Sequence, residues 1–502
     1  MKAKLEIIKK VGVLLVTFLS VAVAAGIVWM MNEWGNVNLD EILYHLQAPK
    51  QGTDSAIIVG AVTSILVPTI TVTALAVFVT IVWKKKKQLY GYVIMGGSVC
   101  AAVGSVAYAW NKLDISTYID NLSEYNSFID DNYVYPSSVE LKFPEQKRNL
   151  IYIFLESMET TYADRASGGA WDENLIPNLT QYALEYENFN GDSEVLNGGV
   201  VLNKTTYTMG GMYAESMGVP LIVPIDGNAM WCQDEFLPEL DGIGDVLEEH
   251  GYQNTLLIGS HAMFGGRNLF YRDHGNYEIY DYYDALYDHR LPTDDYKVFW
   301  GYEDDKLFEF AKEFILEDAA SGQPFNMTLL TVDTHYEDGY FCQDCVSRHP
   351  DNPYEDVYNC SDQKIAEFIS WIQQQDFYEN TTIVLAGDHL TMDADFCKNL
   401  DPADKANRRV YTAIINGAAI PENDVMREFS TLDLFPTTLA AMGVEIEGDR
   451  LGLGTNLYSS QPTLLELYGK DEMNTAFNQK SVMMEHLGAT IDLTKEELKM
   501  YE

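Results

Sequence analysis

Thr381-Thr-Ile-Val-Leu-Ala-Gly-Asp-His389 is seven apolar or small residues ending in an acid and an imidazole. An unbroken apolar run of this length, rich in β-branched residues, predicts a strand buried on both faces. Two other segments repeat the pattern. Asn149-Leu-Ile-Tyr-Ile-Phe-Leu-Glu156 ends in a carboxylate, and Phe325-Asn-Met-Thr-Leu-Leu-Thr-Val-Asp-Thr-His335 ends in an imidazole. Open α/β sheets bind ligands just beyond the carboxyl ends of their strands. Three segments far apart in sequence therefore point their polar ends at one site, which makes the chain an enzyme candidate.

Helical segments separate these runs. One is expected at Pro238–His250, with Leu240, Ile243, Val246 and Leu247 on one face and Gly251 as the stop. Others are expected at Asp305–Ala319 and Ser361–Gln375, with further strands at Thr255–Gly259 and Tyr411–Asn416. Strands alternating with helices imply an α/β domain around a mostly parallel sheet.

The first 110 residues are different. Val11–Met31, Ser55–Trp83 and Tyr90–Trp110 are apolar stretches of the length needed to cross a bilayer. Lys2, Lys4, Lys9 and Lys10 precede the first, and Lys84–Lys87 separates the second from the third. The loop between the first two holds Glu33, Asp40, Glu41 and Asp54 against Lys50. The excess of lysine on one side predicts a cytoplasmic N-terminus and an extracellular domain after Trp110. Trp29, Trp34, Trp83 and Trp110 lie near the expected interfaces. The competing reading is a cleaved signal peptide ending near Val21–Ala25. The expected organisation is a membrane domain at 1–110, a juxtamembrane linker at 111–146 with a helix near Ile115–Ile129, a catalytic domain at 147–460 and a tail at 461–502.

Charge divides the chain the same way. Residues 1–117 carry ten basic and six acidic side chains, and the remainder 23 and 69. An acidic domain of this kind excludes nucleic acid as a partner, because phosphate backbones need lysine and arginine stripes. Of six cysteines, Cys100 lies in an apolar span, and Cys232, Cys342, Cys345, Cys360 and Cys397 in the acidic part. Cys342-Gln-Asp-Cys345 reads either as a disulfide element or as half of a zinc site. Five cysteines leave at least one unpaired.

Between the first strand and the helix near Pro238 stands Asn203-Lys-Thr-Thr-Tyr-Thr-Met-Gly-Gly-Met-Tyr-Ala-Glu-Ser216. Thr208 falls where a helix begins. It can cap that helix, or it can be a nucleophile at a positive helix end. Gly210 and Gly211 would leave room for a phosphate. Thr205 and Thr206 compete by position.

Together, Leu-Glu-Ser at 155–157, Thr208 with Met-Gly-Gly-Met, Asp-Thr-His at 333–335 and Gly-Asp-His at 387–389 resemble the alkaline-phosphatase/sulfatase superfamily. Ser430-Thr-Leu-Asp-Leu-Phe-Pro-Thr437 followed by Gly443 is similar to its C-terminal signature. Within it, the chain most resembles the lipoteichoic acid synthase and phosphoglycerol transferase branch, over roughly residues 147–460. The resemblance implies a sulfatase-like α/β fold and a single divalent metal, manganese or else magnesium or zinc. It implies Glu156, Thr208, Asp388 and His389 as metal ligands and Thr208 as nucleophile. It further implies His261, Arg267 and His335 around the transferred group, with His335 also catalytic. Phosphatidylglycerol would be the donor, and a glycan, glycolipid or polymer in the bacterial cell envelope the acceptor. A phosphoethanolamine transferase or phosphodiesterase shares the threonine logic. A sulfatase proper would need a Cys/Ser-x-Pro-x-Arg segment, which the nucleophile region lacks. A catalytically silent, membrane-anchored binding domain is the alternative of a different class. Taken singly, Glu156 would also suit a strand-end salt bridge, His335 a core or surface position and Arg267 the surface.

Overall fold

The computed structural model describes residues 2–34, 39, 42, 55–82, 87–222, 235–393 and 395–487. Cys232, Trp83, the loop charges Asp40, Glu41, Lys50 and Asp54, and Lys84–Lys86 lie outside these residues. The chain divides into two compact units, residues 1–42 with 53–120, and 43–52 with 121–502.

The first unit contains three long helices, Lys2–Trp34, Ser55–Val82 and Lys87–Lys112, packed against one another. Spans Ile7–Asn32, Val59–Val79 and Leu89–Lys112 are long and apolar enough to cross a membrane. Leu15, Val67 and Val103 are exposed, which suits a lipid surround. Several hydroxyls inside the helices are satisfied locally. Thr17 donates to the Val13 carbonyl at 2.8 Å, Thr69 to Ile65 at 2.6 Å and Ser98 to Ile94 at 2.9 Å. Pro68 sits within the second helix, a position that membrane helices tolerate.

The second unit is built on a sheet. In chain order the strands of the unit are β1 (Leu141–Lys142), β2 (Asn149–Leu155), β3 (Gly198–Gly199), β4 (Gln253–Ile258), β5 (Glu278–Tyr280), β6 (Phe325–Leu330), β7 (Thr381–Gly387), β8 (Val410–Ile415), β9 (Glu445–Ile446), β10 (Arg450–Leu451) and β11 (Gly454–Thr455). Seven form one sheet in the order β3-β8-β7-β2-β6-β4-β5. β2, β4, β5, β6 and β7 run parallel, and β8 and β3 close one edge antiparallel. The sheet is thus mostly parallel and α/β. The expected strand at Tyr411–Asn416 is present one residue earlier, as the antiparallel β8.

Successive side chains of a strand point to opposite faces, and here both faces are buried. Leu150, Tyr152 and Phe154 join one core with Leu256, Ile258 and Val384. Ile151, Ile153 and Leu155 join the other with Leu257, Met327, Leu329, Ile383 and Leu385. Each fully buried aliphatic chain contributes roughly 1.5–3 kcal/mol. This two-sided burial is why the strands read as continuous apolar runs.

Within 111–146, read above as a linker, the third long helix reaches Lys112, and short helices occupy Ile115–Asn121 and Phe128–Asn132. Tyr125 bridges to Lys480, and β1 pairs antiparallel with β9. In the tail, the helix Leu464–Asn478 buries Phe477 against Phe128. Other helices fall at Ile243–Glu249, Asp304–Ser321 and Pro353–Ile372. The first begins five residues after Pro238. The last begins at Pro353, well before Ser361, because Pro353 occupies its first turn.

Cys345 is bonded to Cys360, with Cα atoms 5.3 Å apart. Cys342 and Cys397 are free thiols. The two cysteines of Cys342-x-x-Cys345 are therefore not paired with each other.

Candidate active site

Register brings the strand ends together. Leu155 is paired with Gly387, so Glu156 and Asp388 leave the sheet at the same level. On the other side of β2, Phe154 is paired with Leu330, which sets the turn from Thr331 to His335 beside them. Thr331 donates its backbone N–H to the Phe154 carbonyl, and its hydroxyl accepts from the Glu156 N–H at 2.9 Å. The Thr334 hydroxyl donates to the Glu156 carbonyl at 2.6 Å.

Glu156, Asp388 and His389 are all buried, with donor atoms within 4.8 Å of one another. His389 Nε2 lies 3.3 Å from Glu156 Oε1 and 3.5 Å from Asp388 Oδ2. His389 Nδ1 lies 2.8 Å from the Leu390 carbonyl, which aims Nε2 at the two carboxylates. Asp388 Oδ1 accepts from the backbone N–H groups of Ser157 and His389, both at 2.8 Å. Asp388 Oδ2 is buried without a hydrogen-bond partner. Ser157, with φ +53°, turns back so that its hydroxyl donates to Glu156 Oε1 at 2.8 Å.

The electrostatics follow from two acids crowded around one imidazole. Burial and the Glu156 charge push Asp388 up to about 7. Burial also works against the charge on Glu156, but His335, His389 and Ser157 outweigh it and hold that carboxyl at about 2. Burial would lower His389, yet Asp388 and Glu156 raise it to about 10. The cluster is short of positive charge, has an orphaned carboxylate oxygen and offers hard oxygen donors with one imidazole. That donor set fits a divalent cation.

Thr208 is the first residue of the helix Thr208–Met217, and Tyr207 is its N-cap. The threonine side chain is not spent on capping. Its hydroxyl lies 3.4 Å from Glu156 Oε2 and 3.2 Å from His389 Nε2. Thr205, a rival by position, donates to the Leu202 carbonyl at 2.9 Å and accepts the Leu202 N–H, so it shapes the preceding turn.

Gly211 also serves the packing of its own helix. A Cβ on Gly211 would lie 1.9 Å from the Asp388 carbonyl oxygen. The helix thus approaches the loop of Asp388 backbone to backbone. Gly211→Ala must push the two apart by more than about 1 Å, a displacement that costs on the order of 10²-fold in rate. It also costs roughly 1–3 kcal/mol through overpacking. Parallel thermal melts and turnover measurements check both.

His335 is half-buried, and burial lowers its pKa. Its Nδ1 lies 2.6 Å from the Tyr336 carbonyl. The Trp300 ring packs 4.4 Å away and Phe299 6.2 Å away, centroid to centroid. Arg267 is 4% exposed, so it is no surface residue. Its guanidinium donates to the Phe264 and His261 carbonyls at 3.1 and 2.9 Å and to the Ser260 hydroxyl at 3.1 Å. Its charge still acts on His335. His261 Nδ1 lies 3.5 Å from Asp281 Oδ2 and accepts the Met263 N–H at 3.1 Å, and its ring meets Tyr283. The loop from 261 to 267 is therefore well ordered by its own bonds, with Gly265 and Gly266 in the left-handed region.

One supporting group was not legible in the sequence. Asp304 and Asp333 are buried together, and Asp304 caps the turn by accepting the N–H groups of Val332 and Asp333 at 2.8 and 3.2 Å. Lys364, from the helix Pro353–Ile372, reaches Asp333 at 2.8 Å and Asp305 at 2.7 Å. Removing one partner of a buried ion pair costs about 3–5 kcal/mol. Lys364→Met is expected to destabilise the second unit by that amount, and adding Asp333→Asn to recover part of it. Thermal unfolding of the single and double variants measures the coupling.

Residues 148–444 match the sulfatase family. The chain is 30% identical over 397 residues to a phosphoglycerol transferase I of Escherichia fergusonii, covering 77% of this chain and 49% of that one. It is 32% identical over 334 residues to a phosphoglycerol transferase I of Salmonella choleraesuis, covering 65% and 41%. The chain thus spans about half the length of the curated relatives it matches. Among solved structures, lipoteichoic acid synthase LtaP of Listeria monocytogenes aligns with a TM-score of 0.47 at 18% identity, covering 66% of this chain and 80% of that one. A lipooligosaccharide phosphoethanolamine transferase of Neisseria meningitidis aligns at 0.48 and 14%, covering 87% and 84%. The match over 148–444 takes in more than half of the chain, including Glu156, Thr208, Asp388 and His389, and the chain belongs to the sulfatase family.

Proposed function

We propose that this protein is a membrane-anchored phosphoglycerol transferase. It moves glycerol phosphate from phosphatidylglycerol to a hydroxyl of a cell-envelope glycan, glycolipid or polymer. The observation that carries the reading is the place of Thr208. Its hydroxyl lies at a helix N-terminus and touches both Glu156 and His389, two of three buried side chains able to hold one cation.

In this reading Glu156, Asp388 and His389, with the Thr208 oxygen, hold one divalent cation, manganese by preference. Bound there, the cation supplies a lowered pKa for the Thr208 hydroxyl. Thr208 Oγ1 gives up its proton and attacks phosphorus, the bond to the diacylglycerol oxygen breaks, that oxygen takes up a proton as diacylglycerol leaves, and a phosphoglycerol–threonine ester remains. The acceptor hydroxyl then attacks that ester and its proton passes to His335 Nε2, while the bond from phosphorus to Thr208 Oγ1 breaks and the threonine oxygen takes a proton back. His335 suits this role because burial keeps it neutral and its Nδ1 is engaged by Tyr336. Arg267 adds positive charge beside the transferred phosphate, and the His261 ring lies in the same loop. The lysine-rich flanks of the spans support a cytoplasmic N-terminus and a catalytic domain on the outer face.

The test is turnover by the full-length protein in detergent with manganese and either phosphatidylglycerol or phosphatidylethanolamine. Release of diacylglycerol from phosphatidylglycerol alone is expected. Preference for phosphatidylethanolamine would move the protein to the phosphoethanolamine transferases. Release from neither would leave a binding domain.

A further inference from the structure

Three sulfurs meet at the edge of the loop that follows His335. Cys342 Sγ lies 3.4 Å from Cys345 Sγ and 3.9 Å from Cys360 Sγ, and Cys345 and Cys360 form a disulfide. We propose that Cys342 is the exchange thiol of this bridge, so that the loop and the helix Pro353–Ile372 can be uncoupled without any external reductant. The exchange does not depend on which reaction the site performs.

Cys345 is the nearer target, 3.4 Å away against 3.9 Å for Cys360, and the sulfurs must rotate into line before it is attacked. A turn closes from Cys342 to Cys345, whose backbone N–H donates to the Cys342 carbonyl at 3.3 Å. Within it, the Asp344 N–H donates to Cys342 Sγ at 3.4 Å, which holds that sulfur inside the turn beside Cys345. The step balances by itself. Cys342 gives up its S–H proton and its sulfur attacks Cys345 Sγ. The Cys342–Cys345 bond forms, the Cys345–Cys360 bond breaks, and Cys360 leaves as a thiolate that takes up a proton. One disulfide and one thiol are present before and after.

The consequence lies beneath the site. The helix bearing Cys360 also bears Tyr354, Tyr358 and Lys364. Tyr354 donates to the Thr334 carbonyl, Tyr358 to the Ser157 carbonyl and Lys364 to Asp333. With Cys345 bonded to Cys360, the loop after His335 is tied to that helix. With Cys345 bonded to Cys342, the tie is cut and only a four-residue ring remains.

Disulfide mapping tests this. The full-length protein is held in detergent at pH 8, quenched in acid, digested with pepsin and read by mass spectrometry. The expected result is two populations, Cys345–Cys360 with free Cys342 and Cys342–Cys345 with free Cys360, the second in at least about one molecule in ten. Cys342→Ser should show Cys345–Cys360 alone. Cys360→Ala, oxidised in air, should close Cys342–Cys345 and speed hydrogen exchange of residues 336–352 at least tenfold. Cys345–Cys360 alone in the wild type, together with two free thiols in Cys360→Ala, would overturn the proposal. So would three thiols without any disulfide, with a cobalt-thiolate absorption band marking an ion held among them.

Discussion

Thr208→Ala is expected to leave the protein folded and able to bind its cation, and to lower turnover by at least about 10⁴-fold, the scale seen when a covalent nucleophile is removed. The folding half of this expectation follows from the helix. Tyr207 is the N-cap, and the Thr208 side chain makes no capping bond, so alanine in the first turn costs the helix nothing. The cation half follows from the donor set: Glu156, Asp388 and His389 remain, so loss of the Thr208 oxygen weakens the hold on the cation without abolishing it. Turnover is compared at manganese concentrations that saturate the variant, where the remaining loss falls on chemistry. Thr208→Ser should restore a measurable rate, since the hydroxyl is kept and only a methyl is lost. A thermal melt with and without manganese, beside a diacylglycerol-release assay, separates the two halves.

Asp388→Asn is the second large effect. Asparagine can still accept the Ser157 and His389 N–H groups through its single oxygen, so the local turn survives. The orphaned Oδ2, however, becomes an NH₂ group that cannot ligate a cation. Loss of an outer-shell partner already costs 10–100-fold in metal affinity, so loss of a ligand atom is expected to cost more than about 100-fold. Stabilisation by a bound ligand grows as RT ln(1 + [L]/Kd), so about 2.7 kcal/mol of the cation-induced stabilisation should disappear. The cation-free protein should respond in the opposite sense. Burial and Glu156 oppose the charge on Asp388, so its neutral replacement should hold or raise the melting temperature without metal. Melting curves across a manganese titration show both signs in one experiment.

The two-sided core explains which parts of this architecture were legible. β2, β6 and β7 are buried on both faces, so their sequences are unbroken apolar runs, and the side chains just past them, Glu156, His335, Asp388 and His389, are the polar residues nearest the site. The same two-sided burial hides direction. β8 is as apolar as β7, and nothing in Val410–Ile415 distinguishes an antiparallel strand from a parallel one. Contacts between segments far apart in the chain were also hidden. The pairing of β1 with β9 and the packing of Phe128 on Phe477 depend on short, weakly patterned stretches. Asp304 and Lys364 carry no signal of their own in the sequence, because a buried ion group is defined by what surrounds it. Gly211 was legible as a demand for space, but its neighbour, the Asp388 carbonyl, was not. Cysteine spacing could not choose Cys360 as the partner of Cys345.

In the proposed reaction Thr208 carries the phosphoglycerol group between donor and acceptor. The intact mass of the full-length protein, after incubation with phosphatidylglycerol and manganese and without acceptor, tests it most directly. The account predicts an added mass of one phosphoglycerol, mapping to Thr208 and absent from Thr208→Ala. Diacylglycerol release with no adduct on the wild type, or an adduct that persists in Thr208→Ala, would contradict it.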